Sequence, residues 1–217
     1  MTTARIAFTA NWLLMSRFSK GSHGGHFGAV ERQRFLTTVV RLPADIAERL
    51  GEAASQLGRI QPEHYLYPPD SIHLTVIGLA EKPDAEREVE AAVRRHRPFG
   101  IEVRGLNLTR DAVFAELRPR DSELLALRND VRAVESHEHG PLSRWIRRRL
   151  AHANVLRFAA PVDRRLVAEV GGLRRTRFGE FDVEEVELVH TDKVMSGAAT
   201  RTLGRYRLGD ASGSQPG

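Results

Sequence analysis

An internal echo limits what this chain can become, because two stretches run through the same elements in the same order. Residues 35–42 (FLTTVVRL) are apolar and β-branched, the pattern of a strand. Pro43 then opens a segment in which Ile46, Ala47, Leu50, Ala53, Ala54 and Leu57 share one helical face. Residues 113–118 (VFAELR) predict a second strand, and Pro119 follows it. Beyond that proline, Leu124, Leu125, Leu127 and Val131 line one side of a second helix. Each unit then runs into a short apolar strand carrying a histidine, Ile72-His73-Leu74-Thr75-Val76-Ile77 and Ala151-His152-Ala153-Asn154-Val155-Leu156. A proline-led, charged helical stretch comes next in both, Pro83 to Arg95 and Pro161 to Arg174. Each ends at a Phe-Gly pair, Phe99-Gly100 and Phe178-Gly179, before further strands at 101–108 and 181–189.

The spacing supports a duplication. His73 to His152 and Phe99 to Phe178 are both 79 positions, and proline to histidine is 30 residues in one half and 33 in the other. Strand-like runs joined by helices and hairpin-length turns predict an α+β fold with antiparallel sheets.

Composition narrows the function classes. A chain of 217 residues suits one two-lobed domain or two small ones. It contains no cysteine, which excludes disulfides, thiolate zinc sites and cysteine nucleophiles. Lys and Arg number 33 against 28 Asp and Glu, and the pI near 10.2 favours anionic partners such as nucleic acid. No apolar run is long enough to span a bilayer. Residues 5–15 (RIAFTANWLLM) faintly resemble a signal peptide, but Asn11 interrupts the run and no small-residue cleavage site follows. The expected location is the cytoplasm, with no membrane partner.

The two histidine strands carry a family resemblance. His73-Leu74-Thr75-Val76 resembles the H-x-T-hydrophobic signature of the two-histidine (2H) phosphoesterase superfamily. The lead-in Tyr67-Pro68-Pro69-Asp70-Ser71-Ile72 is similar to the Pro-Pro-acid-polar-Leu segment of its 2′-5′ RNA ligase branch. His152 to Arg157 (HANVLR) is similar to that branch's second motif, H-x-T-hydrophobic-x-R. The resemblance covers roughly residues 35–208 and includes the strand at 36–42 and a closing strand with Tyr206. A lone H-x-T carries little, since nine histidines give about one H-x-Ser/Thr by chance. Two such motifs on equivalent strands, with the Pro-Pro lead-in, carry far more. One departure stands out: Asn154 replaces the second motif's Thr or Ser.

The resemblance implies a bilobal duplicated fold with two antiparallel sheets flanking a central cleft and helices outside. It implies a two-lobed phosphoesterase domain at 35–208. Residues 1–34 are expected to be a partly flexible extension and 209–217 a disordered tail. His73 and His152 would be the catalytic pair, and Thr75 and Asn154 would bind the phosphate. Strand alternation agrees, since His73 and Thr75 share one face and His152 and Asn154 another. The expected activity is metal-independent cleavage of RNA or nucleotide 2′,3′-cyclic phosphates, with 2′-5′ ligation as its reverse. No cofactor and no metal are expected.

Asn154 leaves a second reading open, an RNA-end-binding protein of the same fold with weakened or lost catalysis. Its amide is longer than a threonine hydroxyl, and a misplacement of ~1 Å can cost ~100-fold in rate. Tyr65 or Tyr67 could stack on a base, and Arg147, Arg148, Arg149 and Arg157 could track an RNA backbone. A buried tyrosine and a solvated arginine face are the plain alternatives. His23 and His26 (H-x-x-H) lack an evident third ligand and read as a Gly/Ser loop. His64, His96, His137, His139 and His190 read as surface or structural residues. Oligomeric state stays open, and a monomer fits.

Overall fold

The structure is a computed structural model that describes residues 3–18, 34–79, 81, 83–132 and 150–209. In chain order the elements are α1 (Thr3–Phe18), β1 (Phe35–Arg41), α2 (Ala44–Ile60), β2 (Tyr65–Leu66), β3 (His73–Leu79), α3 (Ala85–Val93) and β4 (Phe99–Leu108). After these come β5 (Ala112–Pro119), α4 (Glu123–Arg132), β6 (Ala151–Arg157), α5 (Arg164–Gly172), β7 (Arg177–Val183), β8 (Glu185–Thr191) and β9 (Arg201–Arg207). All six apolar residues expected on one face of α2 are buried. That stripe, at spacings of three and four, drives the helix against the sheets.

The strands form two antiparallel sheets, four strands in the order β3-β1-β8-β9 and five in the order β2-β6-β5-β4-β7. The α+β, two-sheet expectation holds. The halves, however, are interleaved rather than separate. β4 ends the first repeat yet pairs with β5, and β8 ends the second yet pairs with β1. The helices exchange too: α2 leaves the four-stranded sheet and packs on β6 and β7, while α4 leaves the five-stranded sheet and packs on β3. A short hairpin between β4 and β5 makes the first exchange the nearest pairing available. The two Phe-Gly pairs do not occupy matching places. Phe99 and Phe178 both lie in the five-stranded sheet, on the neighbouring strands β4 and β7.

The repeat is sharpest in an irregularity. On β3 the register passes from Thr38–Ile77 to Val39–Thr75, which skips Val76. On β6 it passes from Val113–Leu156 to Phe114–Asn154, which skips Val155. Both bulges fall three residues after the histidine. A bulge bends its strand and re-aims the side chains beside it, so the two strands are bent alike at matching positions.

In the N-terminal segment, residues 3–18 form a helix packed on β4. Phe8 is buried, with its ring centroid 6.2 Å from that of Phe114. Asn11 donates to the Asn107 side chain at 3.1 Å and to the Leu108 carbonyl at 2.8 Å. The expected tail beyond Gly209 and the His23/His26 loop lie outside the described residues, as do His137 and His139.

Candidate active site

Four of the expected side chains occupy the more open faces of their strands. His73 and Thr75 are partly exposed while Leu74 and Val76 are buried. On β6, His152 and Asn154 are partly exposed between buried Ala151, Ala153 and Val155. β3 and β6 approach each other directly, so the two histidine strands meet where the sheets come together. On the five-stranded sheet the face that carries His152 and Asn154 also carries Phe114, and α1 packs on it through Phe8.

The Pro-Pro lead-in has a positional role. Pro68 and Pro69 start a single 3-10 turn, Pro69–Ser71, closed by Ser71 N–H to the Pro68 carbonyl at 2.9 Å. That turn presents the Ser71 carbonyl to His73, whose Nδ1 donates to it at 2.7 Å. A carbonyl only accepts, so the proton sits on Nδ1 and Nε2 keeps its lone pair. Burial lowers the His73 pKa to about 4; the Ser71 bond opposes this, and the nearby Arg41 guanidinium adds to it. Arg41 lies opposite His73 in register and pairs with Glu187 at 3.0 Å.

His152 has different neighbours. Its ring lies edge-on to Phe114, with centroids 5.2 Å apart. Glu116 stands directly opposite it on β5, almost fully buried. That carboxylate accepts from Arg118 at 2.6 Å and from the Asn107 amide at 2.9 Å. The two imidazoles therefore face neighbours of opposite charge, an arginine for His73 and a glutamate for His152.

Tyr67 requires a correction. It is 2% exposed, so it cannot stack on a base. Instead its hydroxyl accepts from Arg157 Nε at 3.2 Å and hydrogen-bonds the Asn154 side chain. Burial holds its pKa above the ordinary phenol value, although both of those bonds pull the other way. Arg157 also donates to Asp111 at 2.8 Å. Tyr65 is half-buried, edge-on to Tyr67 at 5.3 Å, and opposite Arg157 in register. Asn154, Tyr67, Arg157 and Asp111 thus form one polar chain on the His152 side. Arg147, Arg148 and Arg149 lie outside the described residues.

The motifs alone do not reveal three further contributors. Arg128, in α4, is buried and donates to the Val76 carbonyl at 3.0 Å, the Thr75 carbonyl at 3.0 Å and the Leu150 carbonyl at 3.2 Å. It ties the bulge of β3 to the entry of β6. The signal was present: Arg128 sits within the apolar stripe Leu124, Leu127, Val131. At the matching bulge, the Tyr67 backbone N–H donates to the Val155 carbonyl at 3.1 Å. The other two are Phe114 and Glu116, which flank His152 and read from sequence only as strand residues. His64 and His96 prove structural, the first beside Gln61 at 3.3 Å and the second between Glu123 and Asp130 at 3.0 and 3.3 Å.

A cavity of about 700 Å³ lies along α2 and residues 66–69, lined by Glu48, Glu52, Arg59, Tyr67 and the two prolines. Neither histidine lines it. Among the described residues no group of three or more His, Asp or Glu side chains is arranged to hold a metal ion. No described helix is long and apolar enough to cross a membrane.

No protein-family model matches the sequence, and no curated protein sequence matches it. Solved structures do. TT0787 of Thermus thermophilus superposes with a TM-score of 0.61 at 23% identity, covering 82% of this chain and 100% of its own. Escherichia coli LigT complexed with phosphate gives 0.57 at 20% identity, covering 82% and 98%. A structure described only as a phosphoesterase gives 0.57 at 20% identity, covering 82% and 99%. The chain therefore shares the fold of LigT and TT0787, the fold that its paired histidine motifs imply.

Proposed function

We propose that the protein is a phosphodiesterase that opens 2′,3′-cyclic phosphates of RNA ends or nucleotides, with two-histidine acid–base catalysis. The observation that carries this is the meeting of β3 and β6, each bringing one histidine and one polar residue two positions later on its open face. LigT, which shares the fold, has been solved with phosphate and with 3′-AMP, the kind of ligand such a site would hold.

The asymmetry of the site supports a division of roles. His73, neutral at pH 7 with its lone pair on Nε2, is the base that removes a proton from water. The water oxygen bonds phosphorus, and the ring P–O bond breaks. His152, opposite Glu116, is the acid that delivers a proton to the departing ribose oxygen. Thr75 and Asn154 donate to the non-bridging oxygens as charge builds on them. With a ribose 5′-hydroxyl in place of water the same step makes a 2′-5′ linkage: the 5′-oxygen bonds phosphorus, the P–O3′ bond breaks, and His152 protonates the departing 3′-oxygen.

The base assignment has a sign. A base must be unprotonated, so activity falls only as pH drops through its pKa. The acid limb of kcat/KM for a 2′,3′-cyclic nucleotide should therefore lie near pH 4. An acid limb centred near the ordinary imidazole value of about 6.5 would place the base elsewhere.

Turnover of a 2′,3′-cyclic nucleotide in excess EDTA tests the reading directly, and chelation should leave the rate unchanged. Loss of turnover in chelator would overturn it. Asn154 motivates the second reading, binding of RNA ends without turnover, which predicts salt-dependent affinity and no product. Asn154→Thr separates the two. A rate change under about threefold marks a site already competent, whereas a rise of ~100-fold marks one in which Asn154 was misplaced.

A further inference from the structure

Resting on the phosphodiesterase reading, we propose that Arg118 and Arg174 form a second anion subsite beside His152, which selects nucleotides carrying another phosphate besides the reacting one. Arg118 lies two residues beyond Glu116 on β5, on the same face as His152 and about 7 Å along the strand. One ribose bridges such a span between its 5′ and 3′ positions. Arg174 enters from the turn after α5, its terminal nitrogen 4.0 Å from Glu116. Its backbone is fixed by close packing on Gly105, whose φ of +83° and lack of a side chain permit the approach.

The local charge does not balance. Glu116 is occupied by Arg118 and Asn107, and Glu102, opposite Arg118, pairs with Arg104 at 3.7 Å. Glu180, beside Glu102 in register, is taken by Arg120 and Arg177 at 2.8 Å, so guanidiniums outnumber carboxylates here, and Arg118 and Arg175 both repel the charge on Arg174. The Nε atoms of Arg118 and Arg174 are enclosed, with no hydrogen-bond partner among the described residues. Native proteins pair most such groups; an enclosed Nε does not itself meet a ligand, and the outer nitrogens of the two guanidiniums are the donors offered to a phosphate oxygen. The side chains are 18% and 24% exposed, so their outer edges remain within reach of a ligand.

Helix α1 walls this subsite. Trp12 lies over the Arg174 guanidinium at 4.8 Å from the ring centroid, and Asn11 locks the helix to Asn107, which in turn holds Glu116. The neighbours cover 98–100% of their own length yet only 82% of this chain, so about a fifth of it has no counterpart in them.

The test is calorimetric titration of the full chain with nucleoside 3′,5′-bisphosphate and, separately, nucleoside 3′-monophosphate. The bisphosphate should bind at least ~10-fold tighter, the worth of one charge-assisted contact. Arg174→Gln should bring the ratio of the two affinities towards one, and Arg174→Lys should restore part of it. Equal affinities in the natural protein overturn the subsite and leave the phosphodiesterase reading standing. A ratio unchanged in Arg174→Gln also overturns it. If neither nucleotide binds, both readings fall.

Discussion

His73→Ala lowers kcat/KM on a 2′,3′-cyclic nucleotide by ~10²- to 10⁴-fold, and His152→Ala does the same, as expected for a general base and a general acid. The double variant should fall little further than the worse single one, because the two groups act in one concerted transfer. The substitutions differ in a second readout. His73 is held by the Ser71 carbonyl in a partly buried setting, so its loss removes a hydrogen bond as well as a base. Steady-state rates and urea unfolding on the same samples separate the two effects. A single variant with its rate within about threefold of the natural protein would remove that histidine from the chemistry.

Arg128→Met should have the largest effect of any residue that never touches substrate. It leaves the carbonyls of Val76, Thr75 and Leu150 without this donor. Each buried group left unsatisfied costs ~1–3 kcal/mol, so unfolding free energy should drop by about 3 kcal/mol or more. Arg128→Lys keeps the charge but cannot reach three carbonyls with one ammonium, and should recover only part of the loss. The bulges at Val76 and Val155 depend on such capture, since each frees backbone groups from its ladder. Activity should fall further than stability predicts at temperatures where the variant is still folded. A change below about 1 kcal/mol in denaturant unfolding would mean that the bulge is held by other contacts.

Much of this was legible in the order of residues. Alternation along His73–Thr75 and His152–Asn154 gave the open faces, and the stripe from Ile46 to Leu57 gave the buried side of α2. Periodicity reports which face a residue occupies, but not which element that face meets. That is why the exchange of β4 and β8 between sheets was hidden, along with the crossing of α2 and α4. The polar residues that break apolar patterns were the best clues to long-range contacts. Arg128 interrupts the stripe of α4 and reaches β3, and Asn11 interrupts the run in residues 5–15 and docks on Asn107. Tyr67 shows the opposite limit. Its motif position was clear, but burial turned a candidate base-stacking ring into a support for Asn154 and Arg157.

The most direct measurement is a crystal structure of the full chain soaked with nucleoside 3′-monophosphate. One phosphate should lie between β3 and β6, with Nε2 of His73 and a ring nitrogen of His152 both within hydrogen-bond distance of its oxygens. A phosphate bound to one ring alone, or bound along α2 with both imidazoles untouched, would contradict a shared two-histidine centre.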